Sequence, residues 1–222
     1  MTKICFFDLD GTLLNTIENI GGHMNQTLSE FGIAPFSMKE YCYFVGKGSR
    51  YLTESVLSAR GKMTQAFFDE FYASFITKYN AAPDMGVTVY DGILALLAAL
   101  KAKGVHIAVV TNKPDAAAQR SIAHFFDREI FDEILGAVDG KPLKPAPDAV
   151  LSLLEKYGVE KDEAAFIGDS DVDMLTAVNA GVRGFGALWG FRTGEELTAA
   201  GATALLASPL DLLAHLSLPD AP

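Results

Sequence analysis

Hydrophobic and polar positions follow two rhythms along this chain. Lys3-Ile4-Cys5-Phe6-Phe7 is an apolar run that stops at Asp8-Leu9-Asp10-Gly11-Thr12, which predicts a buried strand ending in a polar turn. Beyond residue 16 no buried strand occurs until about residue 80. Spacing there predicts helices over residues 17–31, 38–44, 49–59 and 64–79, punctuated by Gly32, Pro35, Gly46, Gly48 and Gly61. Ala81-Ala82-Pro83-Asp84-Met85-Gly86 reads as a linker. After it, apolar runs alternate with helical faces. Asp91 is placed to cap a helix with Ile93, Leu94, Leu96, Leu97 and Leu100 on one face. A strand over 105–110 leads through Thr111-Asn112-Lys113 into a helix opened by Pro114. Short strands are expected over 134–138, 164–167, 182–188 and 204–206. Helices carrying Val150, Leu153 and Leu154, then Met174 and Val178, fall between them, and a last helix starts at Pro209.

Repeated strand–helix units imply an α/β fold with a doubly wound parallel sheet covered on both faces. The helical stretch interrupts it after the first strand. The expected division is a core of 1–14 and 84–222 with a helical insertion over 15–83.

Composition narrows the classes. With 222 residues there is room for one sizeable core plus a smaller unit. Cys5 and Cys42 lack CxxC spacing, which leaves no disulfide scaffold or thiolate zinc site and suits a reducing cytoplasm. Cys5, inside an apolar run, reads as a packing residue. The short run before Asp8 does not read as a signal peptide, and the apolar stretch 93–100 is too short to span a bilayer. A net charge of −10 lacks the basic footprint that nucleic acid requires. An acidic protein handling an anionic substrate must reverse its field locally, with a cation or placed lysines.

Polar and acidic residues gather just after strand ends: Asp8 and Asp10, then Thr111, then Asp169. Ligands of doubly wound sheets bind outside those carboxyl ends, so three separated segments are expected to converge on one crevice. Carboxylates brought this close repel unless a cation compensates, and an oxygen-rich cluster suits a hard ion such as Mg²⁺. An isolated Asp-x-Asp reads equally well as a helix cap, as do Thr111 and Asn112 singly. The case rests on their joint occurrence.

Four ordered segments resemble the signatures of the haloacid dehalogenase superfamily. They are Asp8-Leu9-Asp10-Gly11-Thr12-Leu13-Leu14, Thr111-Asn112-Lys113, Lys144-Pro145-Ala146-Pro147 and Gly168-Asp169-Ser170-Asp171-Val172-Asp173. The runs 109–114 and 140–145 look closest to the phosphoglycolate phosphatase-like branch, whose helical cap matches the insertion. By that resemblance the protein is a Mg²⁺-dependent phosphatase, a monomer or homodimer, acting on a small-molecule phosphate ester. Asp8 is implied as nucleophile and Asp10 as general acid, a task helped by neighbouring carboxylates. Asp8, Asp169 and the Asp10 carbonyl are implied metal ligands, and Asp173 would orient waters or Lys144. Thr111 and Asn112 would donate to phosphoryl oxygens, and Lys144 would supply positive charge.

An acid at Asp10 points to phosphate esters rather than dehalogenation. β-Phosphoglucomutase-like transfer stays open, as do pyrophosphate, nucleotide and sugar phosphate hydrolysis. Against the mutase, Gly168-Asp169 replaces that family's Glu-Asp pair, and His23 lies beyond the expected cap histidine. The branch often continues its first motif with Asp-Ser, where this chain has Asn15-Thr16. In the insertion, Gly46-Lys47-Gly48-Ser49-Arg50 combines flexible backbone with two cations, so Gly46, Lys47 and Arg50 are expected to meet a substrate carboxylate.

Overall fold

The computed structural model describes residues 1–218 and places the first apolar run at the centre of a six-stranded sheet. In chain order the elements are β1 (Ile4–Phe7), β2 (Leu14–Asn15), α1 (Ile17–Glu30), α2 (Met38–Phe44), α3 (Ser49–Ala59), α4 (Gln65–Ala81), β3 (Thr88–Val89) and α5 (Ile93–Ala102). Then come β4 (His106–Pro114), α6 (Asp115–Phe125), β5 (Glu133–Ala137), α7 (Asp148–Tyr157), β6 (Ala164–Gly168), α8 (Asp171–Ala180), β7 (Arg183–Ala187), α9 (Gly194–Ala199), β8 (Ala204–Leu206) and α10 (Leu212–His215). The strand order is β5-β4-β1-β6-β7-β8, every neighbouring pair parallel. From β1 the chain goes out to β4 and β5 on one side, then returns to build β6, β7 and β8 on the other. The crevice at the carboxyl end of β1 therefore opens where the winding reverses.

The period of two explains why these strands read as continuous apolar runs. In β1, Cys5 and Phe7 join one core while Ile4 and Phe6 join the other. Strands β4 and β6 repeat this, with Ile107, Val109, Ala165 and Ile167 on the first face and Ala108, Val110, Ala164 and Phe166 on the second. Both faces are dry, as a sheet covered by crossover helices requires. Truncating Phe166 to Ala would cost about 3–5 kcal/mol by the usual cavity penalty. Cys5 is indeed a packing residue. Burial pushes its thiol up to about 12, so it stays protonated.

Helices α1–α4 bury a third apolar cluster, with Met24, Leu28, Val56, Leu57, Phe71 and Phe75 inside it. Local chemistry sets their ends. Ser37 and Glu40 form a capping box ahead of α2, and Thr64 accepts from Phe67 N ahead of α4. The two crossings between sheet and helices lie side by side, because β2 pairs antiparallel with β3. Asn19 and His23 of α1 secure the returning chain. Asn19 donates to Ala82 O and Met85 O, and His23 Nε2 lies 2.9 Å from Ala82 O.

Three expectations are corrected. The cap of α5 is Gly92 at φ +87, a conformation Asp91 could not adopt cheaply. Strand β4 runs on through Thr111, Asn112 and Lys113 to Pro114, with an irregular register after Val110, so the second motif is strand rather than loop. The pair β2 and β3 and the six-residue helix α9 were not anticipated, being too short to carry a period.

Candidate active site

Three buried carboxylates meet at the carboxyl edge of the sheet. Asp8 follows β1, Asp169 follows β6, and Asp173 lies in the first turn of α8; one oxygen from each falls within 4.8 Å of the others. Ser170 fixes this arrangement as the cap of α8, its hydroxyl donating to Asp173 Oδ2 at 2.6 Å. Thr12 donates to Asp169 Oδ1 at 2.7 Å, and Phe191 N–H to Asp169 Oδ2 at 2.9 Å. Gly11, at φ +87, and Gly190 press against Asp169 so closely that a Cβ on either would overlap its side chain.

One cation stands inside the cluster. Lys144 Nζ lies 2.9 Å from Asp8 Oδ1 and 2.6 Å from Asp173 Oδ1, with its side chain only 3% exposed. Burial disfavours its charge, but Asp173 and Asp8 outweigh that and raise its pKa. Three carboxylates against one ammonium leave the site short of positive charge. Burial pushes Asp8 up to about 6, with Lys144 and Thr111 opposing. Asp169 rises well above the usual carboxylate range through burial and through Asp173 and Asp8. An all-oxygen set with uncompensated negative charge fits a hard divalent cation.

The remaining residues fall in different places. Asp10 does not join the cluster with its side chain. Its Oδ1 accepts from Lys113 Nζ at 2.7 Å, so the group facing it is a cation and not another carboxylate. Lys113 is buried; burial opposes its charge, while Asp10 and then Tyr79 more than offset this and raise its pKa. This lysine was given no role from sequence, although two positions after Thr111 in a strand puts both on one face. Thr111 lies beside Asp8 as expected. Asn112 departs from expectation. Its amide donates to Gly46 O and Lys144 O, both at 3.0 Å, and its Oδ1 accepts from Lys144 N, so it fastens two loops instead of offering an amide to phosphate.

A cavity of about 270 Å³ opens above Asp8 and Asp10, walled mainly by apolar side chains of the helices, among them Leu52, Phe75 and Ile76. Gly46 lines it, at φ +118. Lys47 and Arg50 do not, which corrects the expectation for the Gly46–Arg50 loop. Lys47 points outward near Asp171 at 3.9 Å, and the Arg50 guanidinium stacks 4.8 Å over Phe68 and 5.1 Å over Tyr72. The cations that line the cavity are Lys113 and Arg120. Arg192 was also missed; it reaches from beyond β7 to donate to Tyr43 O and Val45 O, tying helices to sheet. No residue pattern around it marks that role. His23 does not line the cavity and serves the linker.

The family model for haloacid dehalogenase-like hydrolases matches residues 5–187. The chain belongs to that family. Among the haloacid dehalogenase-like hydrolases, it is 36% identical to a phosphoglycolate phosphatase of Rhodospirillum rubrum over 82% of this chain and 78% of that one. A phosphoglycolate phosphatase of Cereibacter sphaeroides is 35% identical, over 80% and 81% of the two chains. The crystal structure of a predicted phosphoglycolate phosphatase from Haemophilus somnus superposes with a TM-score of 0.90 at 27% identity, covering 96% and 97%. The chain is thus a hydrolase with this family's sheet and helices. Among the described residues, no helix is long and apolar enough to cross a membrane.

Proposed function

We propose that the protein is a Mg²⁺-dependent, cytoplasmic phosphatase that hydrolyses a small phosphate monoester, phosphoglycolate by the names its relatives carry. The observation that carries this reading is the buried Asp8–Asp169–Asp173 cluster with Lys144 inside it. Asp8 and Asp169, with the Asp10 carbonyl, would hold the ion, which when bound neutralises the carboxylates and the phosphoryl oxygens. Residues 15–83 act as a cap that closes over the leaving group.

The residues then divide the work. Asp8 attacks phosphorus through a carboxylate oxygen as the ester P–O bond breaks, and the leaving oxygen takes a proton from Asp10. Water then loses a proton to Asp10 and attacks the same phosphorus, breaking the bond to Asp8 and releasing phosphate. Asp10 paired to Lys113 is the form ready for this second half. Thr111 and Lys144 hold the nucleophile and face the charge that develops in transfer. Phosphate release from phosphoglycolate should require Mg²⁺, stop with EDTA and leave an acid-stable phosphorylated Asp8 on rapid quench. Full turnover in chelated enzyme would end this reading.

A further inference from the structure

We infer that Arg120, held by Asn80, receives a carboxylate carried on the substrate's alcohol, so that the site selects carboxylated phosphate monoesters. This rests on the phosphatase reading only for the chemistry at phosphorus. Of the cations at the cavity, Lys113 is spent on Asp10, and Lys144 beneath it is shared by Asp8 and Asp173. Lys47 and Arg50 face elsewhere. Arg120 lines the cavity and, among the described residues, has no carboxylate within ion-pair distance; its Nη2 donates to Asn80 Oδ1 at 2.8 Å. A guanidinium carries five N–H donors in a planar fork, and one bond to a neutral amide leaves the fork able to take a carboxylate.

The position suits that task. Arg120 comes from α6 and Asn80 from the last turn of α4, so one partner belongs to the sheet's flank and the other to the helical insertion. One turn before each, on the same helix faces, Ala116 and Ile76 present apolar wall to the cavity. Arg120 and Asn80 are themselves exposed, so the pair forms at the solvent-open rim of the cavity, where screening limits its strength. An ester lacking the carboxylate gains nothing from it, which makes the pair discriminating. Recognition also needs both helices in place, since Asn80 orients the guanidinium.

The test is equilibrium binding, by titration calorimetry with Mg²⁺ present, of phosphoglycolate and of ethyl phosphate to Asp8→Asn protein with and without Arg120→Gln. Loss of a charge-assisted pair at a solvent-open rim should weaken phosphoglycolate by about three- to fivefold. Ethyl phosphate should move less than about twofold, since the Arg120 side chain never touches it. Asn80→Ala should reproduce the effect in part, and Arg120→Lys should retain some of the preference. Lys47→Ala and Arg50→Ala should leave the binding ratio where it is. A parallel shift of both ligands in Arg120→Gln, or none, overturns the assignment. The outcome is separable from the phosphatase reading: if the unmodified enzyme releases no phosphate from either ester, that reading fails, while the binding ratio still decides on Arg120.

Discussion

One buried ammonium serves two buried carboxylates: Lys144 stands 2.9 Å from Asp8 and 2.6 Å from Asp173. This pairing joins the start of the chain, the Lys144-Pro145 loop and α8 in one electrostatic unit. Removing the cation strands the charges it compensates, and breaking a buried pair from one side typically costs about 3–5 kcal/mol. Lys144→Met should therefore destabilise the metal-free protein by about that much at pH 8, read from urea denaturation. The loss should shrink at pH 5, where Asp8, held up at about 6 by burial, carries a proton. Equal stability of mutant and parent at pH 8 would show that the lysine is not what holds the cluster together.

The raised carboxylates set the direction of a pH effect. Burial holds Asp8 up at about 6 in the folded protein, against about 3.8 in the unfolded chain, and displaces Asp169 the same way. The folded state thus binds more protons than the unfolded chain between those values, and stability falls as pH rises. The stabilising contribution of protonated Asp8 is complete below about 3.8 and lost through about 6. Metal-free protein should melt lower at pH 7.5 than at pH 5.5, and Asp8→Asn should flatten the difference. Mg²⁺ should restore the melting temperature most at the higher pH, because it binds the ionised form. A metal-free profile that climbs steadily to pH 7.5 and is identical in Asp8→Asn would contradict this account.

Asp8 and Asp10 should separate by leaving group. Asp8→Asn should fold normally and lose turnover on every ester, because an amide cannot form the acyl phosphate. Asp10→Asn should keep part of its rate on aryl phosphates, whose leaving groups need no proton, and lose alkyl phosphates more severely, by about 10²–10⁴-fold. Lys113→Met should lean the same way, since Lys113 is the group that holds the Asp10 carboxylate. Steady-state kcat on both substrate types is the measurement. Equal losses in Asp10→Asn would remove the general-acid role.

Much of this was legible in the residues themselves. The sheet was legible because each central strand is buried on both faces and reads as an unbroken apolar run. Helices α2 and α3 were legible to the residue, since Ser37 and the Gly48–Ser49 step punctuate them sharply. Strand-end position brought Asp8 and Asp169 together, but it also grouped with them Asp10, whose side chain turns to Lys113, and Asp173 entered only through the family resemblance. What stayed hidden depends on side-chain direction. Asn112 looks like a ligand and turns out to be a fastener between Gly46 and Lys144. Lys47 sits between glycines in a basic loop, yet its ammonium turns to Asp171, and Arg50, on α3, lies over the rings of Phe68 and Tyr72. Arg120 gave no signal, because an arginine in a helix of Ala and Gln reads as a solvated face.

The glycines around Asp169 yield the last prediction. Gly190 approaches Asp169 and the Gly11 carbonyl with no room for a methyl group. Backbone cannot yield here without moving Phe191, whose N–H holds Asp169 Oδ2 at 2.9 Å. Gly190→Ala should therefore rotate or displace the Asp169 carboxylate rather than merely loosen the fold. Perturbing what orients a metal-ligating carboxylate typically weakens the ion about 10–100-fold. The Mg²⁺ concentration giving half-maximal activity should rise within that range. Activity at saturating Mg²⁺ should recover in part, because Asp8 and Lys144 lie on other segments. Mg²⁺ should also raise the melting temperature of Gly190→Ala less than that of the parent at equal concentration, a reading independent of turnover. If the half-maximal Mg²⁺ concentration is unchanged while the protein is simply less stable, then Gly190 packs the loop and Asp169 is not among the ligands.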